Sequence, residues 1–496
     1  MRLALPCTLL AAALGAAATL AAETQRYVVL APEANIGHLH ATIDGDAVTI
    51  EYDVKDNGRG PTMAESLRLD ADGLPIAWTI TGTTTFGSRV DERFAVDGGA
   101  ATWRDAVGPG RADAGDGALY VAQSGTPWAL GLYARALLAD ADRRMPVLPG
   151  GELRLEEGRT IDVGEGAARQ TVRLVTLSGL DLDPTHLLVE ADGDLFAALS
   201  SRSPLLREGY EAEAERLRRL AVELGEQRFI AMQAETAHRY PFPVRIRKVR
   251  VFDPKTGRVG EPASVVVFGN RITGVQPADA TGGGPEVLID GEGGVLVPGL
   301  YEMHGHIGQN RTVLNLAAGV TSVRDMGNDN DVLDRLVDSI EAGQLAGPRI
   351  TRAGFIEGRS PFNSNNGRLV NSQAEALDAV RWYAARGFPQ IKLYNSMRPD
   401  WSKAAAAEAR RLGLRVSGHI PAFTNADAMI EAGYDELTHI NQIMLGWVLT
   451  PEEDTRTLLR LTALKRLDGL DLQSPRVRRT VDAIVERRIA VEPTLA

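Results

Sequence analysis

After Pro298 the sequence alternates short apolar runs with amphipathic stretches, and this alternation constrains the fold more than any other feature. The apolar runs predict strands over 295–306, 320–326, 349–356, 389–394, 415–420, 436–443 and 489–495. Helical spacing of apolar residues predicts helices over 331–343, 372–386, 401–412, 424–432 and 475–487. Strands that alternate with helices form parallel βα units, because a parallel neighbour is reached only by a crossover. Units of this length close most naturally into a (β/α)8 TIM-type barrel, which gathers its chemistry at the C-terminal ends of the strands. A complete barrel has eight strands and seven are visible, so the α/β domain expected over 298–496 is an incomplete barrel.

At 496 residues the chain exceeds one ordinary domain, and the part upstream of the barrel divides further. Over 23–202 the pattern has period two, as in Val48, Ile50, Tyr52 and Val54, with tight-turn pairs such as Asp44-Gly45, Asp72-Gly73 and Asp97-Gly98. An antiparallel β domain is expected there, as one strongly curved sheet or an open barrel, and no motif in it speaks of function. Ser203-Pro204 has the form of a helix cap followed by a first helical residue. Leu206, Tyr210, Leu217, Leu220 and Leu224 continue at helical spacing, so a linker helix is expected over 203–240. Residues 241–297 return to β structure, and the near alternation of Arg245, Arg247, Lys248 and Arg250 with apolar residues reads as a solvated strand face.

Composition narrows the function classes. A net charge of −11 argues against a phosphate-tracking surface, so nucleic acid is not an expected partner. Cys7 is the only cysteine, which excludes an intramolecular disulfide and a thiol nucleophile. Residues 1–22 carry Arg2 followed by the alanine-rich apolar run Leu3 to Ala22, the pattern of a secretory signal peptide cleaved after Ala21 or Ala22. The expected location is periplasmic or secreted, with the membrane met only during export. A mature chain without cysteine suits an oxidising compartment.

The chemistry-bearing residues fall at matching places in the βα pattern. His304 and His306 follow the apolar run Val295–Leu300, and residues i and i+2 of a strand face one side, so both imidazoles reach one metal ion. His38 and His40 have the same spacing, but nothing nearby completes a site around them. Lys392, His419 and His439 end the fourth, fifth and sixth predicted strands. Taken singly, each reads equally well as a packed or rim side chain. Together, at one face of a barrel, they read as a metal centre. Tyr394, beside Lys392, either touches a substrate oxygen or packs. Arg324 either holds a substrate carboxylate or pairs with Asp325 inside the barrel. Gly354–Asn366, rich in Gly, Ser and Asn, is expected to be a long mouth loop and a substrate lid.

These motifs carry a resemblance. The run Val297-Pro298-Gly299-Leu300-Tyr301-Glu302-Met303-His304-Gly305-His306 resembles the opening of the amidohydrolase superfamily barrel, and Gly319–Asp325 resembles its second strand. Ile391-Lys392-Leu393-Tyr394, Gly418-His419-Ile420 and Thr438-His439-Ile440 are similar to the imidazolonepropionase-like and prolidase-like branch. The resemblance covers about 244–496 and leaves 23–240 unexplained. It implies that 241–297 is the first part of a small β sandwich. It also implies two divalent metal ions, zinc first, with manganese or iron as alternatives. His304 and His306 would bind one ion and His419 and His439 the other, with Lys392 carboxylated by carbon dioxide to bridge them. A hydroxide shared by the metals would attack a carbonyl, coordination having lowered the pKa of water to about 7.

Lys392 and Tyr394 are then the candidate catalytic side chains, and the expected activity is hydrolysis of an amide or peptide C–N bond in a small-molecule or short-peptide substrate. Hydrolysis of a lactone or other ester is the alternative, and a homo-oligomer is compatible with either. Two departures stand out. Glu302 holds a place where family members often have aspartate. The aspartate that the family takes from its eighth strand has no counterpart up to Ala496. A truncated, non-catalytic homologue, or a binding protein using its N-terminal β domain, is therefore the competing expectation, and little turnover is expected of the chain as written.

Overall fold

The computed structural model describes residues 22–32, 34–114, 119–308 and 311–494. The signal peptide expected over 1–22, Cys7 included, lies outside the described residues except for Ala22. Fifteen strands between Glu23 and Arg207 form one sheet, nearly all of it antiparallel between strands consecutive in sequence. Its first strand, Glu23–Ala31, pairs with its last, Leu205–Arg207, so the sheet spreads outward from that central pair. One face wraps a helix, α1 (Trp128–Ala139), whose Trp128, Leu132, Tyr133 and Leu137 share a core with Tyr27, Ile50, Trp78, Phe94 and Leu187.

A second helix, α2 (Ala214–Thr236), covers the other face, packing Leu217 and Leu220 on Val28, Val172, Leu188 and Leu206. Further along α2, Phe229 packs with Ile307, Val323 and Leu336 of the downstream α/β unit. The helix thus ties the two units together. It begins at Ala214, not at Ser203 as the cap-like Ser203-Pro204 suggested. Leu205–Arg207 is a strand because its backbone pairs with Glu23–Ala31 on one side and Leu195–Ala198 on the other. Two sheet neighbours outweigh a local capping signal. Among the described residues no helix is long and apolar enough to cross a membrane.

Six further strands between Val244 and Leu296 form a small sheet around Val244–Asp253. The chain then enters a parallel sheet of seven strands in sequence order: β1 (Leu300–Gly305), β2 (Val320–Asp325), β3 (Arg349–Gly358), β4 (Gln390–Leu393), β5 (Arg415–Gly418), β6 (Glu436–Thr438) and β7 (Ala490–Glu492). Helices such as Gln373–Ala385 and Pro399–Arg411 pack outside. Their Ala376, Ala379, Ala405 and Ala409 let the helix backbones lie close to Ile391, Leu393 and Val416. An eighth strand, Arg368–Val370, pairs only with the end of β3 and stands beside this path.

The sheet curls into a nearly closed barrel. Arg324 on β2 reaches Glu436 on β6, and His304 on β1 reaches Glu492 on β7. The expected mouth loop begins later than Gly354, since β3 continues through Gly358.

Candidate metal centre

The ends of β1, β4, β5 and β6 bring the sequence-predicted ligands to one mouth. Gly305 lets β1 and β2 approach closely, because a Cβ there would lie 2.6 Å from a methyl of Val323. Gly418 does the same for β4 and β5, with φ +146° and a would-be Cβ 2.2 Å from the Leu393 carbonyl oxygen. His419 follows directly. His439 sits at φ +65°, which is rare for a residue with a side chain, and its amide donates to the Glu492 carbonyl at 2.7 Å. Backbone strain therefore coincides with a candidate ligand.

The rings converge. His304 and His439 lie 4.6 Å apart between ring centroids, His419 and His439 4.5 Å, and His304 and His306 5.4 Å. Lys392 is only 1% exposed, and its Nζ lies 3.0 Å from His304 Nε2. Tyr394 stacks its ring 3.9 Å from that of His419.

Hydrogen bonds fix which ring nitrogen is free. His306 Nδ1 lies 2.6 Å from the Gly327 carbonyl, which can only accept, so Nδ1 carries the proton and Nε2 keeps its lone pair. His304 Nδ1 meets the Glu492 carboxylate, leaving Nε2 toward Lys392. Asn395 Oδ1 lies 2.6 Å from His419 Nδ1 and Gln442 Nε2 2.8 Å from it. Both contacts fall on Nδ1, and His419 Nε2, on the other side of the ring, is buried with no hydrogen-bond partner among the described residues. Such second contacts orient a ligating imidazole.

Burial sets the charge state. It holds His304 down to about 2 and His439 to about 3, with Lys392 adding to both shifts, and it pushes His419 well below its ordinary value. All three are therefore neutral at physiological pH, the form that binds a metal. Burial likewise brings Lys392 down to about 7, so much of its amine is uncharged at neutral pH.

Sequence reasoning missed two carboxylates. Glu492, at the end of β7, belongs with His304 and His439 to a group whose ligand atoms all lie within 4.8 Å of one another. Its signal was available, a carboxylate at the same end of the next strand. Glu357 ends β3, where its carboxylate accepts from the amides of Ser396 at 2.7 Å, Gly358 at 3.0 Å and Ser364 at 3.4 Å, tying the mouth loops together. Burial pushes it up to about 8.

Two expectations are corrected. Arg324 neither pairs with Asp325 nor stands free for a substrate: it forms a bidentate pair with Glu436 at 2.7 and 2.6 Å. Asp325 is fully buried and accepts from the amides of Ile307 and Gly327 and from Asn328 instead. Tyr394 lies at the mouth, where its hydroxyl accepts from Asn57 Nδ2 at 3.2 Å and keeps its own proton to donate. His38 and His40 stack on the antiparallel sheet and join no group of possible metal ligands among the described residues.

No family model matches the chain, and no curated protein matches it. Among solved structures it is similar to a Xaa-Pro dipeptidase with bound methionine in the active site, at 21% identity and TM-score 0.37, over 51% of this chain and 79% of that one. It is also similar to a prolidase complexed with N-methylphosphonate-L-proline, at 18% identity and TM-score 0.36, over 50% of this chain and 77% of the other. A third is the A. niger ochratoxinase, at 16% identity and TM-score 0.33, over 50% and 75%.

Proposed function

We propose that the protein is an exported, metal-dependent amidohydrolase of the prolidase-like branch, acting on an amide or peptide C–N bond. The observation that carries this reading is the convergence of neutral imidazoles on a buried lysine, with His419 Nε2 buried and unpartnered where a ligand would sit. A hydrogen-bonding atom left bare in this way is costly unless something occupies the space beside it. In this reading the parallel sheet is the (β/α)8 barrel of that superfamily and the small sheet over 244–296 is part of its β sandwich.

His304 and His306 would hold one divalent ion and His419 and His439 a second, with Lys392, as its carbamate, as a further donor. Zinc suits imidazole and carboxylate donors. When bound, such ions polarise a carbonyl and make water acidic enough to act near neutral pH.

The chain's own residues do the rest. The uncharged Lys392 amine adds to the carbon of carbon dioxide, forming an N–C bond and releasing one proton, which turns a donor into a two-oxygen acceptor. Glu492, whose carboxylate meets His304, would take a proton from the attacking water and return it to the leaving nitrogen. Gly327 holds His306 in one tautomer, and Asn395 and Gln442 orient the ring of His419. The substrate is a small molecule or short peptide.

The test is hydrolysis by the full chain, supplied with zinc and bicarbonate, of N-acyl amino acids and dipeptides. Cleavage should stop with a chelator, return with metal, and be absent in Lys392→Ala. Chelator-insensitive cleavage, or a metal-loaded protein that cleaves no amide, would refute the reading. Cleavage of esters and lactones alone would replace it with ester hydrolysis.

A further inference from the structure

One wall of the barrel mouth does not come from the barrel. The turn between the strands Ala47–Val54 and Thr62–Leu69 of the antiparallel sheet enters the mouth loops. Gly58 sits at φ +68°, and a Cβ there would lie 2.4 Å from the Arg456 carbonyl oxygen and 2.9 Å from the Phe362 ring. Only glycine permits that approach. Asn57 is 8% exposed and donates to the Tyr394 hydroxyl, while its Oδ1 is buried without a partner among the described residues. Asn365, from the mouth loop, donates to Asp56 at 3.0 Å.

This turn closes a cavity of about 430 Å³ whose walls include Asn57, Arg59, Arg202, His306, Phe355 and Tyr394. The size suits a small ligand. His306 belongs to the candidate metal centre, so the cavity opens directly on it. Two arginines, Arg59 and Arg202, also line it, the guanidinium of Arg59 lying 5.2 Å from the centre of the Phe86 ring. Neither Arg59 nor Arg202 has a carboxylate ion-pair partner within 4.0 Å among the described residues; Arg202 reaches only Asn366 Oδ1, at 3.4 Å. Asp56 also lines the cavity and offsets one of the two charges, which leaves the wall net positive. A buried orphan oxygen, two arginines that share one acid, Asp56, without a close ion pair, and an opening onto the metal centre describe a receptor for a ligand that carries both a carboxylate and a donor group.

Resting on the amidohydrolase reading, we infer that the N-terminal β domain supplies the specificity wall of the active site. Arg59 and Arg202 take a free carboxylate of the substrate, and Asn57 Oδ1 takes an N–H or O–H beside it. The substrate class is then an acyl amino acid or short peptide with a free acid end.

The test measures binding of 4-phenylbutyrate and 4-phenylbutanol to the full chain by calorimetry. The two probes share a skeleton and have no bond to hydrolyse. The acid should bind at least about tenfold more tightly, and Arg59→Met/Arg202→Met should remove that preference while leaving the alcohol unchanged. Should that variant fail to fold, Arg59→Lys/Arg202→Lys keeps the charge but not the planar fork, and should weaken the acid several-fold without affecting the alcohol. Equal binding of the two probes, binding of neither, or a preference that survives both substitutions would overturn the inference. Survival would assign the preference to bound metal. A failure of the hydrolase reading looks different: the acid preference and its arginine dependence would persist while no amide is cleaved.

Discussion

The middle of the parallel sheet and its two ends are made of similar strand sequences under very different cover. Every residue of β4 is buried, and β5 is buried after Arg415. In β1, by contrast, Leu300, Tyr301 and Met303 are exposed, and in β7 Val491 is. The candidate ligands divide along the same line. Lys392 and His419 are walled in by packed helices and strands, and His419 is further held by Asn395 and Gln442, which lie outside the ligand set. His304, His439 and Glu492, toward the ends, hold one another: Glu492 meets His304 through its side chain and His439 through its carbonyl. One part of the site is thus enclosed by packing, and the other relies on polar contacts among its own members. The Arg324–Glu436 pair ties the two ends of the sheet together, from β2 to β6.

Breaking that pair should have the largest effect. Arg324→Ala leaves Glu436 buried and unpaired, which typically costs about 3–5 kcal/mol. Denaturant titration should show this loss, with partial recovery in Arg324→Ala/Glu436→Gln. A loss below about 1 kcal/mol would mean that the pair does not hold the two ends together.

Next comes the contrast in packing. Leu393→Ala, in β4, should cost about 2–5 kcal/mol because a fully buried side chain leaves a cavity. Tyr301→Ala, on exposed β1, should stay within about 0.5 kcal/mol. Similar costs at the two positions would erase the distinction between middle and ends.

The smallest effect is a slope. Glu357 has a folded-state value raised to about 8 from an ordinary 4.5, so between these values the folded chain binds the extra proton. Its contribution is fully present below about 4.5 and is lost as pH rises through about 8. Glu357→Gln keeps the acceptor for Ser396 and Gly358, and should flatten this part of the stability–pH profile. An unchanged slope would show that the three amide donors hold the carboxylate ionised.

What the sequence made legible follows the same physics. The seven parallel strands and the five ligand candidates were readable because βα alternation and strand-end placement are local patterns. Helix α1 was not, since WALGLYARALLA is apolar all round and eight of its twelve residues are buried, leaving no polar face to give period 3.6. Ser203-Pro204 misled because a cap signal is worth about 1 kcal/mol, less than pairing with two neighbouring strands. The partners of Arg324 and Tyr394 lie 112 and 337 residues away, and no spacing rule reaches so far. Asn57 sits in a domain without a motif, so its place at the mouth emerged only from the fold.

Metal analysis of the purified full chain, beside its His304→Ala/His439→Ala variant, tests the central claim most directly. The account predicts about one to two divalent ions per chain in the wild type. Most of that metal should be lost in the variant, while its circular dichroism is unchanged. A wild-type chain without metal after zinc loading, or a variant that keeps its full complement, would contradict the account.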